Sequence, residues 1–281
     1  MDYDKIILPT QSQDIFDYKK MHDKCLVSLD EEIPPPPTVL GIGYHNYKGV
    51  DYLNPTFTKG EMSCIIAPQK SKKTFFKTAL ASSYIGGNSN SYFPNIVSAR
   101  EGDLFVMDFD TEQGTYYAQR AFRRVSEMVG SNYVNYRPFG LKELSDDDRV
   151  SLIDSVINDP KYKGKIGIVF IDGIADLCFN TNDIEKSNYI IKKLIQWNTQ
   201  AHICCVIHKT FDKDKATGHL GTYVQKKVET SIFLSTTDKD TKNAPVEVKQ
   251  VDSRGAPFDT FYFDLDLNTV LPKECSNNEN W

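Results

Sequence analysis

Residues 62–74 (MSCIIAPQKSKKT) constrain this chain more than any other stretch. The segment opens as an apolar run of strand length and closes on Lys73-Thr74. Residues 74–84 follow with good helix formers and apolar side chains at helical spacing. Strand, polar loop and helix in that order set backbone N–H groups and a helix N-terminus around a mobile ammonium, which is what nucleotide phosphates require. The usual form of such a loop is Gly-x4-Gly-Lys-[Ser/Thr], its hydroxyl ligating Mg²⁺. Here Ala67 stands at the first glycine and Lys72 at the second. A Cβ at the second position obstructs the approach of backbone to phosphate. Lys72 is therefore expected to keep ordinary φ and ψ and to turn its side chain outward. The competing reading is a solvated cluster of Lys70, Lys72 and Lys73 ahead of a helix. In that helix Phe75, Ala79 and Leu80 are expected to face a sheet, with Gly86, Gly87 and Asn88 ending it.

Three more apolar runs end in polar residues. Residues 166–171 form a near-continuous apolar run, the mark of a strand buried on both faces, and lead into Asp172-Gly173. Asp172 is a candidate for the Mg²⁺-associated carboxylate, or an ordinary strand-to-turn aspartate; Asp176 could assist the metal or cap a helix. Residues 104–109 read as a strand leading to Asp110-Thr111-Glu112-Gln113-Gly114. Glu112 is placed to orient or deprotonate a water. Alternatively Asp110 and Thr111 cap a helix over 116–129, with Glu112 in its first turn. Residues 201–207 form the last run and end in His208, either a sensor of the terminal phosphate or a hydrogen-bonded strand end.

Taken in this order, the four strand ends resemble the RecA-like ATPase core. Within that group the chain is similar to RepA-type hexameric helicase ATPases, and most of all to AAA-family ATPases of Bacteroides-type mobile elements and phages. Members of that subgroup often carry a loop ending Lys-Ser-x-Lys-Thr-Phe, matched here by residues 70–75. The stretches 58–61 (TKGE), 171–177 (IDGIADL) and 218–222 (GHLGT) add to the resemblance, which spans roughly residues 50–265. It implies ATP and Mg²⁺ as cofactors. Ala67, Pro68, Gln69, Lys70, Ser71, Lys72, Lys73, Thr74 and Phe75 would surround the nucleotide. Lys73 would bind the β- and γ-phosphates, Thr74 and Asp172 would serve the metal, and Glu112 would activate water. His208 would couple nucleotide state to the following loop. Arg254 would reach a neighbouring subunit's γ-phosphate, or else is a hairpin-turn arginine before Gly255. Relatives tend to carry an arginine where this chain has Thr217, which puts a basic contact to DNA at that point in doubt.

Composition agrees with an intracellular enzyme, and a cytoplasmic site is expected. The six cysteines (Cys25, Cys64, Cys178, Cys204, Cys205 and Cys275) show no Cys-x2-Cys spacing and read as reduced thiols. Neither a signal peptide nor an apolar run near membrane-spanning length is read. A formal net charge of -5 argues against broad adhesion to nucleic acid. It leaves room for a local basic path: Lys209, Lys213, Lys215 and His219 are candidates to track a single DNA strand inside a ring, or belong to a solvated loop.

The expected fold is α/β: a RecA-like P-loop core with a mainly parallel central sheet flanked by helices, and antiparallel strands at its C-terminal edge. The expected parts are an N-terminal extension over 1–50, with a helix near 11–26 and a polyproline spacer at 34–37, a core over 51–271, and a loose tail over 272–281. Further elements are expected as a short strand at 133–137 and helices at 146–158 and 184–199. The expected function is ATP hydrolysis driving a helicase or DNA-remodelling motor, working as a homo-oligomeric ring, hexameric by resemblance, or as a filament. A strand-annealing mediator of the same fold and a nucleotide-gated assembly module with little turnover are the alternatives. A metabolic P-loop kinase lacks the arginine-rich lid it would need.

Overall fold

The computed structural model describes residues 18–209, 216–236 and 244–276. Two compact units divide the chain at residue 35. The first holds one described helix, α1 (Tyr18–Cys25), in the second half of the helix expected over 11–26; residues 11–17 lie outside the described residues.

The second unit carries two sheets. In the smaller one, β1 (Thr38–Tyr47) pairs antiparallel with β2 (Val50–Thr58) and with β4 (Ile96–Ser98). Residues 38–47 thus belong to the folded unit, not to a weakly structured extension. Leu40 and Ile42 are fully buried on one face of β1, and this burial sets the strand where sequence composition suggested an arm.

The larger sheet is built from β3 (Met62–Ala67), β5 (Phe105–Asp110), β6 (Tyr136–Gly140), β7 (Ile166–Asp172), β8 (His202–His208), β9 (Thr230–Thr236), β10 (Val246–Ser253), β11 (Phe261–Leu265) and β12 (Pro272–Cys275). Their order across the sheet is β12-β11-β10-β9-β3-β8-β7-β5-β6. From β9 to β6 all neighbours run parallel. From β10 to β12 they run antiparallel. Strand β9, expected among the antiparallel hairpins, is parallel to β3, so the antiparallel edge begins one strand later. Residues 272–275, expected in the tail, form β12; residues 277–281 lie outside the described residues. The short strand expected at 133–137 begins at Tyr136.

Six helices complete the described chain, α2 (Lys73–Ile85), α3 (Thr115–Val129), α4 (Asp146–Asn158), α5 (Ile184–Asn198) and α6 (Gly218–Lys227) following α1. The buried strands divide their side chains between two cores, as their period of two requires. Ile65, Ala67, Ile168, Phe170, Cys204 and Val206 face a core shared with α2 and α3. Cys64, Ile66, Val169, Ile171, Cys205 and Ile207 face the other, shared with α4, α5 and α6. Both faces being covered explains why these strands read as unbroken apolar runs. The thiols of Cys64 and Cys204 are pushed up to about 12 by burial, so they sit in the core as protonated, apolar groups. On α2, Phe76 takes the sheet-facing position expected of Phe75, alongside Ala79 and Leu80. No described helix is long and apolar enough to cross a membrane.

Candidate functional site

Parallel pairing brings the ends of four strands to one edge of the sheet, with β3 and β8 ending two residues beyond β5 and β7, since Asp172 pairs with Val206. Ala67 at the end of β3 pairs with His208 at the end of β8, and Asp172 at the end of β7 pairs with Asp110 at the end of β5. Strand β8 lies between β3 and β7, so His208 stands between the loop after β3 and the carboxylates beyond it. A cavity of about 540 Å³ opens over these ends, within the usual size of a small-molecule site. One wall is the loop, Gln69 through Phe75; the other carries Glu112, Gln113, Arg124 and His208. Ala67 and Pro68, expected in the binding set, do not line it. Ala67 is buried in the strand, while the Pro68 carbonyl accepts from Ser71 Oγ and Lys73 Nζ and shapes the loop from within.

A chain of hydrogen bonds spans the cavity. Lys73 Nζ donates to His208 Nδ1 at 3.0 Å, which leaves the imidazole proton on Nε2, where it is donated to Glu112 Oε1 at 3.0 Å. The bond from His208 holds the Glu112 carboxyl below its ordinary range, against the effect of partial burial, and the charge of Lys73 adds to this. Burial lowers Lys73, with Glu112 and Asp172 opposing. Glu112 is positioned by Gly173, whose φ is 95°. A Cβ there would come within 2.7 Å of Glu112 Cγ and 2.3 Å of Thr111 Oγ1, so this residue has to be glycine if Glu112 is to lie across it. Glu112 precedes α3 and is not in its first turn. Asp110 accepts from the backbone N–H groups of Glu112 and Gln113, fixing the turn that presents Glu112.

Beneath the cavity lies a set of buried charges. Lys77, one turn into α2, donates to Asp108 Oδ1 at 2.7 Å and lies 3.4 Å from Asp172 Oδ2. Burial alone would depress this ammonium, but the facing aspartates hold its pKa above the usual value. Burial raises Asp172, and raises Asp110 to about 6. The Thr74 hydroxyl faces Asp172. Neither Asp172 oxygen has a hydrogen-bond partner of adequate geometry, although the residue is 2% exposed. Carboxylate oxygens without a hydrogen bond, beside a threonine hydroxyl and with the Lys77 ammonium 3.4 Å from Oδ2, fit the water shell of a hard divalent cation. Among the described residues no cluster of His, Cys, Asp or Glu could hold a metal by itself, so ligand oxygens would have to complete such a site. Asp176 Oδ2 accepts from Thr111 Oγ1 at 2.9 Å.

Lys72 departs from expectation. Its φ and ψ are 60° and 26°, the left-handed region, and its Nζ donates to Asp264 on β11 and to the Ala244 carbonyl. The lysine therefore takes the conformation that glycine adopts at low cost. Such a backbone costs about 1–3 kcal/mol, offset by a largely buried ion pair to the antiparallel edge of the sheet. No side chain caps α2, which leaves its first N–H groups directed at the cavity.

The remaining candidates lie elsewhere. Arg254 donates to both oxygens of Glu61, just before β3, at the end of the strand opposite the cavity. Its own protomer's site does not receive it. Lys209 follows β8, with its N–H donated to the Ala67 carbonyl, and His219 lies in the first turn of α6; Lys213 and Lys215 lie outside the described residues. Sequence reasoning missed Arg124. Its guanidinium stacks 3.9 Å from the Phe75 ring centroid, and its Nη1 is buried without a partner beside the cavity. It missed Lys77 as well, although a lysine three residues beyond Thr74 on the sheet-facing side of a helix was a readable signal. No family model matches this chain, and no curated protein matches its sequence.

Proposed function

We propose that this protein is a RecA-like, Mg²⁺-dependent ATP hydrolase that acts on DNA. The reading rests chiefly on the Lys73–His208–Glu112 chain across one cavity at the carboxyl ends of parallel strands, where ligands of open α/β sheets bind. A triphosphate on the loop would compete with Pro68 and His208 for the Lys73 ammonium, and would meet the uncapped N-terminus of α2. Glu112, kept ionised by His208, is suited to accept a proton from a water attacking the terminal phosphate. Loss of the Lys73 bond on ligand binding would be felt directly at Glu112 through the imidazole. Thr74 and Asp172 would hold Mg²⁺, which neutralises developing phosphate charge when bound. The glycine-like backbone of Lys72 favours a working loop over an assembly module with little turnover.

Helicase or DNA-remodelling work, a homo-oligomeric ring and an arginine supplied in trans by Arg254 are parts of this proposal carried by the motifs and not by contacts within the protomer. The side chain of Arg254 is 61% exposed, so it is accessible to a neighbouring copy.

ATP titration by calorimetry, with steady-state phosphate release measured with and without single-stranded DNA, tests the reading. Wild type should bind ATP and turn it over faster with DNA. Glu112→Gln should bind ATP while its turnover falls about 10²–10⁴-fold. A wild-type protein that ignores ATP, or a Glu112→Gln variant with full turnover, would sink the proposal.

A further inference from the structure

The chain has seven arginines: Arg100, Arg120, Arg123, Arg124, Arg137, Arg149 and Arg254. Four of them donate hydrogen bonds: Arg100 to the Ile85 and Gly102 carbonyls, Arg137 to the Tyr136 carbonyl, Arg149 to the Leu141 and Asp176 carbonyls, and Arg254 to Glu61. Arg120, Arg123 and Arg124 make no hydrogen bond or ion pair among the described residues. All three lie on α3 and line one cavity of about 370 Å³, closed on its far side by Thr269 and Val270. Glu127 is its only carboxylate, and it pairs with none of them. In an acidic protein, three neighbouring guanidinium groups share one unpaired carboxylate and repel one another; burial and then Arg120 lower the Arg124 pKa, with Glu127 opposing. This repulsion is relieved by an anion.

Aromatic surface adjoins the charge. Tyr116 and Tyr117 are 65% and 61% exposed. Tyr116, Arg120, Arg123 and Glu127 follow the spacing that shares one helix face, and the Arg120 guanidinium lies 6.0 Å from the Tyr116 ring centroid. Guanidinium forks take phosphate oxygens in pairs, and exposed rings offer stacking to any base. We propose that this face of α3 binds the phosphodiester backbone of a single nucleic-acid strand, with Arg120 and Arg123 on phosphates and Tyr116 under a base. The inference rests on the DNA-acting part of the function above and not on ATP hydrolysis. It adds a surface distinct from the one that Lys209 and His219 mark. Arg124 lines both this cavity and the loop cavity, so a strand on α3 touches a residue of the nucleotide site.

The test uses the full chain and a fluorescein-labelled oligothymidylate, read by anisotropy across a salt series. Arg120→Gln/Arg123→Gln should weaken strand binding about tenfold or more at low salt. It should also flatten the slope of log affinity against log salt by about 1.4, or 0.7 for each lost contact. Tyr116→Ala should cost about fivefold or more. ATP affinity of both variants should match wild type, since none of these residues lines the loop cavity. A double variant with wild-type strand affinity and slope overturns the inference. So does displacement of the strand by equimolar inorganic pyrophosphate, which would mark a site for free polyphosphate, or loss of ATP affinity in step with strand affinity. Wild type that turns over ATP but binds no strand overturns it as well, leaving the hydrolase reading standing.

Discussion

Strand β8 begins and ends with histidine, and the two residues live in opposite worlds. His202 is fully buried; its Nδ1–H donates to the Thr58 carbonyl at 2.8 Å, its Nε2 accepts from Ser63 Oγ at 2.8 Å, and its ring stacks on Phe57. Burial pushes it down to about 4, so it is neutral. Glu229 beside it accepts from both the N–H and the hydroxyl of Thr58. His202, Ser63, Thr58 and Glu229 thus all have hydrogen-bond partners. At the other edge of the sheet His208 is partly exposed, Asp172 and Arg124 keep buried atoms without hydrogen bonds, and a cavity is lined by His208 and Arg124. Buried polar groups without partners are costly, and those facing a cavity can be completed by a ligand. On the proposed function, the first edge serves stability and the second serves binding.

That contrast can be broken by exchanging effects. The largest expected is His202→Ala. Loss of the ring stack and a stranded Ser63 hydroxyl should cost about 2–4 kcal/mol in urea denaturation, with ATP affinity unchanged. His208→Ala should do the reverse, changing stability by less than about 1 kcal/mol while slowing phosphate release. Equal stability losses in the two variants would erase the distinction. Next in size, Lys73→Ala should weaken ATP binding about tenfold to a hundredfold by calorimetry, with little change in the denaturation midpoint. A variant that unfolds would instead place Lys73 in the supporting framework.

The last effect concerns pH. Burial raises Glu229 to about 7 from an ordinary 4.5, against the pull of Thr58 and Arg254. The folded state therefore binds its proton more tightly than the unfolded state. This stabilisation is whole below 4.5 and is lost as pH rises through about 7. The stability advantage of wild type over Glu229→Gln should shrink by about 2–3 kcal/mol between pH 5 and pH 8, with ATP affinity following no such trend. An advantage that grows with pH would mean that the Glu229 carboxylate is held ionised.

Regular structure was readable where burial is two-sided or a cap is explicit. Strands β3, β5, β7 and β8 appear as apolar runs because both of their faces are covered. Helix α4 has its expected bounds because Ser145 caps it, accepting from the Asp148 N–H, with acidic residues in its first turn. Strand β1 escaped because its outer half is exposed and it follows a proline run, so its pattern resembles a polar arm. Within the site, Lys73, Thr74, Glu112, Asp172 and His208 were nameable because each sits at or just beyond the end of a readable strand. Arg124 and Lys77 lie inside helices, where a cation reads as a solvated face until packing shows otherwise.

What the amino-acid order determined by itself was which strands are buried and which polar residues terminate them, since hydrophobic periodicity and turn chemistry are local. Only the tertiary structure decided their lateral order, with β8 between β3 and β7, and thereby that one imidazole joins the loop lysine to the glutamate. It also decided that Lys72 bends to a glycine-like backbone, because the compensating carboxylate, Asp264, comes from a strand almost two hundred residues away. Contacts of that range leave no period in a sequence, and they are what turns a row of strand ends into a site.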